Sequence, residues 1–184
     1  MTKFGVFTAT TFIAILLSGL YGIIHDQVTY SISPEYFTKF KYQQFGFDPA
    51  NFGGDRQTAA LIGFLASWWM GIFIGIMLGL TGLIFSNYKI MRKAIMNGIR
   101  VTLATTILFA IIGFLWGKYY LVKAGVDWPL PDGLVDKNHF IIVGSVHNFS
   151  YLGGIAGILF AIIYMVRRRF FVRPNFQLTE KIKP

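Results

Sequence analysis

The chain has no cysteine. That excludes disulfides, thiolate metal sites and cysteine nucleophiles. Charge is also scarce. Only 14% of the 184 residues are Asp, Glu, Lys or Arg, against about 25% in soluble domains. Acids are the rarest group, 8 against 17 Lys and Arg, and the formal charge is +9. This excess of base does not describe a nucleic-acid binder. The basic residues gather at the ends of apolar runs, the pattern of anchoring in a lipid bilayer. Several signatures are missing too. There is no HExxH, no ExxH, no GxSxG, no phosphate-binding loop and no dinucleotide fingerprint. Ser145 lies two residues before His147, but neighbours in sequence do not make a catalytic triad.

What is abundant is apolar sequence, 54% of the chain. Residues 4–24 are uncharged over 21 positions, and a membrane span needs about 20. This run exceeds the usual core of a signal peptide, and no small-residue cleavage site follows it, so it reads as a retained helix. Further spans are expected over 58–85, 101–121 and 140–166. The fold class is therefore all-α: a single membrane domain, a four-helix bundle. Residues 86–100 read as a basic connector and 167–184 as a basic tail.

Between the first two spans, Ser33 suits a helix N-cap, Pro34 the first helical position and Glu35 the positive end of the helix dipole. Gly46 suits a stop. A short interfacial helix is expected over 34–45, with Tyr36, Phe37, Phe40 and Gln44 along one face. Asp55 is a candidate cap for the second span.

Orientation follows from the basic residues. Eleven of the 17 Lys and Arg fall at the amino end, the 86–100 connector and the tail, while seven of the 8 acids fall in the other two loops. Both termini are therefore expected in the cytoplasm, and the 34–45 helix outside. The second span repeats a small residue every fourth position: Gly63, Ser67, Gly71, Gly75 and Gly79. The fourth carries Gly153 and Gly157. Such grooves let helices approach closely. They serve packing within the chain, a homo-oligomer or a larger membrane complex.

Four polar residues stand out on the expected outer face: His25, Asp26, Glu35 and His147. His147 is the histidine well inside an apolar run, and an ionisable group at that depth is a functional candidate. Three readings of the set are open. One is structural, with the acids capping helices or pairing with Lys39 and Arg56, and His147 bonded to Tyr151 or a carbonyl. The second is a metal site, where imidazoles and carboxylate suit zinc or non-haem iron. The third is haem b held between His25 and His147. A shared site requires that the His147 ring face the bundle interior and meet at least one of the other three; otherwise His147 is an ordinary packed histidine.

The blocks HDQVT…EYFT after the first span and HNFSYLGG in the fourth resemble those of uncharacterised bacterial multi-pass inner-membrane proteins. The resemblance implies a bacterial inner membrane and transfers no catalytic role. Two functional classes remain. One is a non-enzymatic subunit or scaffold packing through its grooves. The other is a small membrane enzyme or metal or haem carrier with its site at the extracytoplasmic face.

Overall fold

The computed structural model describes residues 2–170. Of the expected basic tail, 171–184 lie outside the described residues. The described chain is helical, with no strand among those residues. Four helices are long and apolar enough to cross a membrane: α1 (Lys3–Ile32), α3 (Asp55–Gly82), α4 (Tyr88–Ala124) and α5 (Lys137–Phe170). A shorter helix, α2 (34–45), joins α1 to α3. Helices suit this composition because lipid offers no partner to a free N–H or C=O, and a helix satisfies both internally.

Three boundaries differ from the sequence reading. Helix α1 continues two turns past Ile24, so His25 and Asp26 lie within it rather than in a loop. Both turn toward the bundle, where the helix carries them without exposing charge to lipid. Most of the expected 86–100 connector is the first part of α4, capped by the Asn87 side chain on the Lys89 N–H at 2.7 Å. Asp55 opens α3 inside its first turn, and Gly54, at φ 109°, holds the cap position.

The α2 segment also departs from a regular helix. Residues Phe37–Lys41 form a π turn between two short α turns. A π turn is wider by about one residue. It brings Tyr36, Phe37, Lys41 and Tyr42 onto the buried face, while Gln44 is exposed. The Lys41 ammonium sits 5.7–6.0 Å from the ring centroids of Tyr36, Phe40 and Phe45, and burial lowers its pKa. Ser33 makes no side-chain cap bond. Gly46 ends the segment at φ 67°, a conformation that glycine adopts without strain.

The bundle is two tight helix pairs, α1 with α3 and α4 with α5. The glycines explain the pairing. A Cβ placed on Gly75 would lie 2.6 Å from Thr11 Cα, and one on Gly71 2.5 Å from Ile15 Cα. Gly63 meets the Gly22 carbonyl and Gly79 the Phe7 ring. Ser67 bonds the Gly63 carbonyl at 2.6 Å, and its own carbonyl accepts from Ser18 at 2.8 Å. In the second pair Gly157 lies against the Thr102 backbone and Gly153 against Phe109. Both small-residue grooves are thus filled within the chain.

Candidate metal centre

Near the α2 end of the bundle, α1 supplies His25 and Asp26, and α5 supplies His147 and Ser150. The two α5 residues are three apart and share a helix face. His147 lies about 15 Å along the axis from the start of α5 at Lys137. Its ring turns inward and is buried. Asp26 is buried as well, at 3% exposure, with its Cβ directed at Gly63. From above, α2 lays the Tyr36 ring over the His147 ring, centroids 4.8 Å apart and 31° between planes.

The contacts converge on one atom. Asp26 Oδ1 lies 3.0 Å from His25 Nδ1 and 3.2 Å from His147 Nε2. The far nitrogens are already committed. His147 Nδ1 is 3.0 Å from the Val143 carbonyl, which can only accept, so Nδ1 carries the hydrogen. The Ser150 hydroxyl donates to the Val146 carbonyl at 2.8 Å. It therefore accepts from His25 Nε2 at 3.1 Å, and from the Tyr21 hydroxyl at 3.3 Å. With both imidazoles neutral, His25 Nδ1 and His147 Nε2 turn lone pairs toward the same carboxylate oxygen. Asp26 Oδ2 is buried with no partner among the described residues.

Three acceptors meeting without a donor make the trio a candidate site for a cation. The three ligand atoms lie within 4.8 Å of one another. An ion held about 2.0–2.2 Å from each ligand sets neighbouring ligand atoms about 3.3–3.6 Å apart at the tetrahedral angle and about 2.8–3.1 Å apart at a right angle. The 3.0 and 3.2 Å separations at Oδ1 lie near these values, while the trio as a whole spans up to 4.8 Å, so the imidazoles would close on an ion. The carbonyl behind His147 fits as well, because a ligating imidazole usually donates its other N–H to such a group.

Two other chemistries fit less well. Haem b would need the two rings on opposite faces of a porphyrin. Here the rings of His25 and His147 meet edge to face, centroids 4.5 Å apart, with no gap for a macrocycle. Ser150, His25 and Asp26 follow the order of a serine triad. Ser150, however, spends its hydrogen on Val146 in the middle of a continuous helix. The backbone N–H groups around it are used by the helix, which leaves no oxyanion hole.

Glu35 is elsewhere. It accepts from the N–H groups of Val135 and Asp136 at 3.0 and 2.7 Å and pairs with Lys39 at 3.1 Å. Lys39 also bonds the Gly133 carbonyl. These contacts tie α2 to the loop before α5. The two backbone bonds, aided by Lys39, hold the Glu35 carboxyl below its usual pKa. Arg56 bonds Gln27 and Ser31 rather than an acid. His139 pairs with Asp136 at the exposed start of α5. Tyr21 and Ser150 were not singled out by the sequence, whereas Tyr36 was placed on the aromatic face of the 34–45 helix but not at the centre. Only the three-residue step from His147 to Ser150 marked the face of Ser150.

Below the centre runs a cavity of about 90 Å³, bordered by Tyr21, Asp26, Ser67, Met70, Thr106 and His147. Its walls are mainly apolar beyond the polar end. No protein-family model, curated protein or solved structure matches this chain, so the centre is read from its own geometry.

Proposed function

We propose that this membrane protein is a metalloprotein whose centre is His25, Asp26 and His147, with zinc or ferrous iron as the ion. The observation that carries the reading is the commitment of both outer imidazole nitrogens as donors, which leaves the inner pair and Asp26 Oδ1 facing one point. Two imidazoles and a carboxylate are a ligand set of such ions, and three protein ligands leave positions open for an oxygen-bearing ligand. An ion there acts as a Lewis acid on that oxygen. The Ser150 hydroxyl, which accepts from Tyr21, holds the far nitrogen of the His25 ring and so orients that imidazole. The glycine grooves lie inside the helix pairs, which favours this centre over the reading as a scaffold that packs against partners through them.

Elemental analysis of the purified full chain tests the proposal. About one zinc or iron per chain is expected, with loss in Asp26→Asn and in His147→Gln. A wild-type protein holding no more metal than Asp26→Asn would overturn it.

The proposed setting is a bacterial inner membrane with both termini cytoplasmic and the centre nearer the outer face. The uneven distribution of Lys and Arg supports it. A cytoplasm-dependent reporter should be active after Pro184 and silent near Gly53. The reverse pattern would invert the orientation.

A further inference from the structure

Between α1 and α4, the two helix pairs leave an apolar cleft of about 610 Å³ that opens toward lipid. Its rims are Leu20, Ile24 and Val28 on α1 and Ile107 and Ile111 on α4, all exposed. Its floor includes Tyr21 and His25. The cleft and the inner cavity share Leu17, Tyr21, His25 and Leu103 as a common wall. His25, one of the three candidate ligands, thus borders the cleft on one side and the inner cavity on the other.

Resting on the metal reading above, we propose that the ligand of this centre is a lipid-derived amphiphile with one long apolar tail and a small oxygen-bearing head. The tail lies in the α1–α4 cleft, and the head reaches Tyr21 and the His25–Asp26–His147 cluster.

Three observations select this occupant. First, the cleft is apolar apart from Tyr21, His25 and Thr29, and it meets the centre at His25, midway along it, so both an apolar tail and a polar head find a matching wall. From Leu17 to Ile32 it follows α1 for about 22 Å, about 10–12 Å of it on either side of His25, and a longer tail continues into the bilayer. Second, the head must be small. The inner cavity, at about 90 Å³, has room for a carboxyl, hydroxyl or carbonyl group and a few carbons rather than a phosphodiester headgroup. Third, another helix fits poorly. Within this chain the close helix seams are lined by glycine, whereas no glycine lines the cleft. Branched walls of Leu, Ile and Val hold a partner backbone away but accept a flexible chain.

The test uses the full chain in phospholipid nanodiscs with a hexadecanoic acid carrying a mid-chain diazirine. Photolabelling should fall on Ile24, Ile107 and Ile111 and be competed away by unlabelled hexadecanoic acid. Labelling of the outward residues Phe12 and Leu159 should not be competed, because those face bulk lipid. Moving the diazirine next to the carboxyl should shift the label toward Tyr21 and Leu103. Ile111→Trp should lose the competed labelling while keeping the metal, and Ile24→Trp, from the opposite wall, should do the same. Equal, uncompeted labelling at cleft and outer face would overturn the proposal. So would exclusion of the probe together with chain-to-chain cross-links from a photoreactive residue at Ile111, since a second copy would then fill the cleft. Metal content is measured on the same samples. Metal without competed labelling removes the lipid ligand alone, and competed labelling without metal removes the metal reading alone.

Discussion

At the end of the bundle away from α2, Val6, Leu78, Met91, Ile95 and Met165 are all fully buried. They fill the space between the helix pairs with aliphatic and thioether side chains. At the α2 end, the space holds a carboxylate and two imidazoles under an aromatic roof of Tyr36, Phe37 and Phe140. One end joins the pairs by dispersion contacts, the other by polar groups that need partners. The difference separates jobs: the first end holds the pairs in register while the second keeps a cavity beside the buried polar cluster.

The sharpest way to break this comparison is to make one cavity at each end. Phe37→Ala should cost about 3–5 kcal/mol and Leu78→Ala about 2–5 kcal/mol, by analogy with soluble cores. The two should differ in metal retention, because the Phe37 ring stands 6.3 Å from the His147 ring while Leu78 belongs to the far cluster. Thermal unfolding and elemental analysis on both variants would check this. Equal metal loss would mean that the ends are not independent.

A smaller effect is expected at the seam that serves both ends. Gly75→Leu drives a side chain into Thr11 and should destabilise by about 1–3 kcal/mol. Ile76→Leu, on the exposed face of the same helix, should be near neutral. Matching melting temperatures for the two would show that the groove is not a close contact.

The smallest effect concerns the roof. The Glu35 pKa is lowered in the folded chain, so its contribution is fully present above the unfolded-state value of about 4.3 and is lost as pH falls through the lower folded value. The amide resonances of Val135 and Asp136 should report that titration, with a midpoint below about 4.3. In Glu35→Gln the Val135 response should disappear, and the Asp136 amide should keep only the titration of its own carboxyl. A midpoint at or above the unfolded value would mean that the two backbone bonds do not form.

The spans were legible because about twenty uncharged residues in a row have few other uses. Their ends were not. Asp26 closes the first apolar run, so composition places it in a loop, yet a helix continues through a charge that faces a partner. The inward turn of His147 followed from the cost of lipid exposure, and with it the approach to His25 and Asp26. Glu35 was grouped with them by position, but its nearest free donors are the backbone N–H groups of a loop 100 residues away. Ser150 and Tyr21 were invisible because neutral hydroxyls are ordinary in apolar helices, and only packing shows which of them meet an imidazole.

One contact in the first helix pair reaches beyond packing. A Cβ on Gly63 would lie 2.3 Å from the Gly22 carbonyl and 3.0 Å from Asp26 Cβ. Helix α3 donates no ligand to the centre, yet the bare backbone at Gly63 sets how far Asp26 can sink toward His147. A survey of substitutions that disturb the cluster would then score position 63 beside His25, Asp26 and His147, although Gly63 itself offers the cluster no side chain. Geometry set by a missing side chain would be mistaken for chemistry performed by a present one.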